Sequence, residues 1–223
     1  MRYLGLALFR EGPADHRFLS PLLRRSVEDI CLEQSDEIIE IGDVLELQSP
    51  RKFKREDRET RILESARGAL GAYELLFLHT DGEGDPEAAR RERIEPAQRR
   101  IEKELSIMAG RTVAVVPVRE TEAWAMVDGE AIRQTFGTHL DNRALGVPSR
   151  SRDVESIPDP KSALNKAYRA VTGKRKRRKS PAYLLETLGE RVSLPKLRKV
   201  PAYQRFEQEL IDTLKALNVI RDK

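Results

Sequence analysis

Residues 75–78, Leu-Leu-Phe-Leu, form a short apolar run that stops at Asp81-Gly82-Glu83-Gly84-Asp85. A run of this length bounded by turn residues reads as a strand buried on both faces, the kind a parallel sheet uses. In open α/β sheets, ligands bind in the crevice at the carboxyl ends of such strands. Asp81, Glu83 and Asp85 therefore emerge together at a place suited to chemistry. Gly82 and Gly84 let the backbone turn tightly enough for alternate carboxylates to converge. Converging oxygen donors attract hard cations, magnesium above all. The same residues also read as an acidic surface loop, and the loop by itself leaves both readings open.

The rest of the chain repeats the pattern. Tyr3–Phe9 reads as a first buried strand ending at Arg10-Glu11-Gly12-Pro13. Pro13 suits a first helical turn and Asp15 a helix start. Phe18, Leu19, Leu22, Leu23, Val27, Ile30 and Cys31 then recur at helical spacing. Residues 37–48 hold two β-leaning runs split by Gly42-Asp43, which predicts a hairpin or a bent strand. Ile62, Leu63, Ala66 and Leu70 place an amphipathic helix over about 55–72. After the acidic loop, a helix is predicted from Pro86 to about Ala109, kinked or split by Pro96. Residues 112–118 read as a strand whose Pro117 argues for an edge position or for the strand's end. This β-α-β-α-β-α-β-α order predicts an α/β fold with a mostly parallel four-stranded sheet flanked by helices.

After Asp128 the character changes to a mostly helical C-terminal part, with helices expected over 131–136, 161–171, 181–188 and 203–217. A division follows into an α/β domain over 1–128 and a helical, basic subdomain over 129–223. Residues 151–223 carry 18 Lys and Arg against 9 Asp and Glu, whereas residues 1–150 carry 23 against 28. An acidic body joined to a basic part is expected where one binds metal and the other meets a polyanion. Six consecutive cations, Lys174, Arg175, Lys176, Arg177, Arg178 and Lys179, read either as a solvated loop or as a salt-sensitive phosphate contact.

Composition excludes several classes. No apolar run approaches the roughly 20 residues that span a bilayer. Met1–Phe9 lacks the basic start and small-residue cleavage site of a signal peptide. The single Cys31 excludes an intrachain disulfide framework and points to a reducing cytosol, so a cytoplasmic protein is expected. With one Cys and three scattered His, a structural zinc site is not expected.

Three strand exits carry acids: Glu11 after the first strand, Asp81/Glu83/Asp85 after a later one, and Arg119-Glu120-Thr121-Glu122-Ala123-Trp124 after the last. Together they resemble the Toprim domain, the metal-binding fold shared by topoisomerases, DnaG-type primases and overcoming-lysogenization-defect nucleases. In that fold a Glu follows the first strand and an Asp-x-Asp a later one. Glu11 and Asp81-Gly82-Glu83 stand at those positions, with Glu83 replacing the second Asp and Arg10 preceding the Glu where an apolar residue is usual. The 119–124 stretch and Asp159-Pro160-Lys161-Ser162-Ala163-Leu164 resemble more particularly a bacterial Toprim-like family of unknown function (domain of unknown function 4276 type), over nearly the whole chain.

The resemblance implies magnesium or manganese held by Asp81, Glu83, Asp85 and Glu11, with Glu11, Asp81 and Glu83 catalytic. Glu11 is open to two roles, a second metal about 4 Å away or general acid–base work. Arg119, Glu120 and Glu122 form a secondary acidic and phosphate-binding group. The expected partners are nucleic acid, contacted by Lys174–Lys179, and a protein encoded nearby, with no membrane. The leading function is magnesium-dependent phosphodiester chemistry, a nuclease. The alternative is a non-catalytic module, binding nucleic acid or a partner protein, on the same scaffold. A phosphatase-like enzyme with Asp81 as nucleophile ranks below both, because such folds place the nucleophile after the first strand, where this chain has Glu11. The 5% aromatic content argues against a stacking platform for single strands.

Overall fold

The computed structural model describes residues 1–12, 15–173 and 180–221; Pro13 and the Lys174–Lys179 run lie outside them. Four strands, β1 (Arg2–Phe9), β2 (Ile39–Leu47), β3 (Leu75–His79) and β4 (Thr112–Val115), form one sheet in the order β2-β1-β3-β4. All three pairings are parallel. Strand residues alternate between two cores, as a doubly covered sheet requires. Leu4, Leu6, Leu8, Leu75, Phe77, Val113 and Val115 belong to one cluster. Ala7, Phe9, Leu76, Leu78 and Ala114 belong to the other.

The region predicted as a hairpin or a bent strand is one strand. β2 pairs with β1 throughout, and the register shifts between Leu4 and Leu6. Such a bulge bends a strand while keeping it in the sheet. β4 ends before Pro117 and occupies the sheet edge, so both readings of that proline hold. Its free edge is covered: the Ala114 amide donates to Glu209 Oε1 at 3.0 Å, and Arg90 holds the other carboxylate oxygen at 2.6 Å. An edge whose amide is met by a side chain offers less to a foreign strand.

α1 (Asp15–Gln34) crosses from β1 to β2 on the first face of the sheet, and α2 (Arg58–Gly68) crosses from β2 to β3 on the second. The β3-to-β4 crossing on that second face is split, as Pro96 predicts. It comprises α3 (Pro86–Ala89), a π turn over Arg90–Ile94, and α4 (Glu95–Glu104), with Pro96 in the first turn of α4. Proline has no amide to give the carbonyl four residues back, so the helix widens by one residue just before it.

α1 alone cannot cover the first face. Beside it α10 (Pro201–Ala216) packs on the sheet, and α5 (Glu122–Ala125), α6 (Gly129–Phe136), α7 (Pro160–Thr172), α8 (Leu185–Arg191) and α9 (Leu194–Leu197) join the same cluster. α10 lays Phe206 on Phe77 of β3, with ring centroids 6.1 Å apart. Trp124 is fully buried and meets Tyr203 edge-on at 5.4 Å, which makes the sole tryptophan a packing residue. The C-terminal helices therefore share one hydrophobic cluster with α1 and the sheet. No described helix is long and apolar enough to cross a membrane.

Phe206 touches the sheet, Trp124 and Tyr203 at once. Phe206→Ala is expected to lower stability by about 3–5 kcal/mol through the cavity it leaves. Denaturant unfolding should show this as a lower midpoint at unchanged slope.

Candidate metal and phosphate site

The strand order reverses at β1. From β1 the chain moves one way to β2 over the first face, then returns across the second face to β3. The helices leaving β1 and β3 diverge, and their strand ends open the crevice where open α/β sheets bind ligands. Glu11 follows β1 and Asp81 follows β3, so the two face each other across that opening.

Glu11 Oε2 accepts the Thr80 hydroxyl at 2.5 Å and the Asp81 amide at 3.3 Å. Arg58 Nη1 stands 3.8 Å from the same oxygen, and Arg93 Nη1 stands 3.8 Å from Oε1. Burial alone pushes the Glu11 carboxyl up. Thr80, Arg58, the Asp81 amide and Arg93 together outweigh it and hold the group below the ordinary range. Glu11 is consequently a carboxylate throughout the neutral range.

Arg93 gathers the predicted residues. It pairs with Glu83 at 3.0 Å and reaches the Asp81 carbonyl at 3.5 Å while approaching Glu11. It stands on the π turn, a distortion frequent at functional sites. Arg58, half-buried at the start of α2, donates to the His79 carbonyl at 2.8 Å, and burial lowers its pKa. Neither arginine was legible as a site residue, since both sit in charge-dense helical stretches that read as solvated faces.

A second row lies beneath. His79 is fully buried, with Nδ1 3.5 Å from Asp15 Oδ2 and Nε2 3.4 Å from Asp81 Oδ1. Both ring nitrogens and Asp81 Oδ1 are buried without a hydrogen-bond partner. Asp15 Oδ2 also accepts the Gly12 amide at 2.6 Å, which ties the residue after Glu11 to this row. Burial raises the Asp15 carboxyl, and the lowering by His79 does not fully offset it.

The acidic loop is clamped to the exit of β4. The Gly82 amide donates to the Pro117 carbonyl at 2.9 Å and the Gly84 amide to the Val118 carbonyl at 2.7 Å. A Cβ at Gly82 would lie 2.4 Å from the Pro117 oxygen, so this approach needs glycine; Gly84 has φ +98°. Glu83 takes φ 51°, an uncommon left-handed conformation for a side-chain-bearing residue.

Glu11 thus meets the backbone amide of Asp81 and shares Arg93 with Glu83, while the other predicted acids have different partners. Asp85 caps α3, accepting the Ala88 amide at 2.9 Å. Glu120 accepts the Lys161 amide at 3.0 Å, in the first turn of α7. Glu122 is buried, and burial raises its carboxyl, with Glu120 and Asp15 adding to the rise. Arg119 lies over Gly84, where an added Cβ would stand 3.7 Å from its guanidinium. The predicted nucleic-acid contacts, Lys174–Lys179, lie outside the described residues.

Among the described residues, no three His, Cys, Asp or Glu side chains form a cluster able to hold a metal ion by themselves. Magnesium is usually bound by one or two carboxylates, completed by water and substrate phosphate, rather than by an all-protein cage. Glu11 and Asp81 carry hard oxygens of that kind, although Asp81 Oδ1 is buried 3.4 Å from His79 Nε2. A magnesium ion at this crevice would take at most Glu11 and Asp81 from the protein, with water and phosphate completing its shell.

Gly82→Ala should cost about 1–3 kcal/mol, because its Cβ has no room against the β4 exit. Thermal unfolding measures the loss. For Glu122, the raised folded pKa favours the fold fully below the ordinary value of 4.5, and that contribution is lost as pH rises through the raised value. Glu122→Gln is therefore expected to melt higher than the parent at pH 7.5 and equally at pH 4.

The family profile described as "Domain of unknown function (DUF4276)" matches residues 10–211. The chain belongs to that family. No curated protein and no solved structure matches it.

Proposed function

We propose that this member of the DUF4276 family carries out magnesium-dependent phosphodiester chemistry on nucleic acid, as a nuclease on a Toprim-like scaffold. The observation that carries this reading is the Glu11 carboxylate on the Asp81 amide at the reversal of strand order, with Arg58 and Arg93 each 3.8 Å from that carboxylate. The placement of Glu11 after β1 and of Asp81 and Glu83 after β3 supports the likeness to the Toprim pattern of a Glu after the first strand and paired acids after a later one.

Magnesium, or manganese in its place, would be held by Glu11 and Asp81, where it supplies charge neutralisation to the phosphodiester oxygens. Glu11, held ionised by its neighbours, suits the ligand role better than that of a general acid. Arg93 is shared between Glu11 and Glu83, so a phosphate entering the crevice offers it a competing anion. Its planar fork matches phosphate oxygens in pairs. Arg119 lies beside Gly84 of the acidic loop. Glu83 then serves to position Arg93, and Asp85 to fix the loop through its helix cap.

A second reading is favoured by one observation. Glu11 and Glu83 are already met by arginines, so the acids can serve as structure in a module that binds without cleaving. Labelled DNA and RNA, incubated with magnesium or manganese, separate the two. Cleavage is expected from the parent, reduced at least about a hundredfold in Asp81→Asn and in Glu11→Gln. Cleavage equal in parent and variants sinks the proposed site. No cleavage by the parent with any substrate or metal, beside a salt-sensitive gel shift that survives both substitutions, establishes the binding module instead.

A further inference from the structure

A cavity of about 540 Å³ opens beside Glu11, between the ends of β1 and β2 and the start of α2. Its walls include Arg10, Lys54, Arg58 and Arg61 against only two carboxylates, Glu11 and Glu46. Arg10 is paired with Glu46, and Arg58 is shared between Glu11 and the His79 carbonyl. Lys54 and Arg61 are ion-paired with no carboxylate among the described residues. Arg61 Nε is buried without any hydrogen-bond partner.

We propose that this cavity binds a phosphate group of the nucleic-acid chain, next to the phosphate that meets Glu11 and Asp81. The inference rests on the phosphodiester reading for the identity of the polyanion and on the cavity for the place. Continuity fixes that place, because Glu11 itself forms part of the wall. Two cations in excess give the charge. Arg58 and Arg61 share this wall, and Arg93 approaches it through Glu11, a crowding of like charge that a bound anion relieves. Among the described wall residues the only ring is Phe9, and it lies under Arg58, 5.9 Å away, so no platform is left for a base. The cavity therefore takes the backbone and is indifferent to sequence.

Fluorescence anisotropy in EDTA tests this with 3′-labelled single-stranded oligodeoxynucleotides, with and without a 5′-phosphate. Lys54→Gln/Arg61→Gln is expected to weaken binding about tenfold and to flatten the dependence of log Kd on log salt. Arg99→Gln/Lys103→Gln, which removes the same charge from α4, should stay within about twofold of the parent. A parent preference for the 5′-phosphorylated strand marks a terminal phosphate as the occupant, and equal binding marks an internal one; both support the cavity. The inference is overturned if the folded Lys54/Arg61 variant keeps the parent's Kd, or if both double variants weaken equally. Cleavage assays on the same proteins separate the two proposals. Cleavage lost in Asp81→Asn but unaltered in kcat and KM by Lys54→Gln/Arg61→Gln removes the cavity and leaves the nuclease. Cation-dependent binding without cleavage does the reverse.

Discussion

A parallel sheet buried on both faces leaves only the ends of its strands for chemistry. In this protein that constraint acts through the order β2-β1-β3-β4, which sends the chain from β1 in opposite directions over opposite faces. Helices cannot fill the gap where they diverge, and a crevice opens between the carboxyl ends of β1 and β3. Glu11 and Asp81 stand on its two lips because each follows its strand by two residues. The fold builds the location, and side chains at strand exits determine what the location can do.

Gathering acids at such a place is costly unless cations or donors compensate them. The compensation comes from Thr80 and the Asp81 amide for Glu11, and from Arg58 and Arg93 as shared counter-charges. Arg93 reaches the site from a π turn that Pro96 imposes, so a local backbone fault aims a guanidinium at three predicted residues. The loop itself is held by two amide bonds to the β4 exit and by the small size of Gly82. Beneath it, Asp15, His79 and Asp81 form a buried polar row joining the β1 and β3 exits.

The change in composition after residue 128 marks a change in topology more than a break in packing. With α1 alone on the first face, β3 and β4 would be left bare on that side. α10 closes that side through Phe206, Tyr203 and Leu210, and its Glu209 covers an amide on the open edge of β4. The helical segment is thus the second half of a covering layer, and the sheet edge stays protected by the same helix.

The sequence by itself determined the alternation of buried strands with amphipathic helices. It also determined the split at Pro96, the edge-and-end role of Pro117, and the placement of Glu11 and Asp81 just past strand ends. These rest on local periods and turn residues, which neighbours in the chain suffice to specify. Bent strand against hairpin at Gly42 was not decided locally, because register depends on the partner strand. The cap that Asp85 makes on Ala88 is local, whereas the use of Glu120 on α7 and the arrival of Arg58, Arg93, Asp15 and His79 were decided only by tertiary structure. A carboxylate in a loop looks the same whether it awaits a ligand or caps a helix. An arginine in a charged helix shows its partner only when the chain has folded back to bring one within reach.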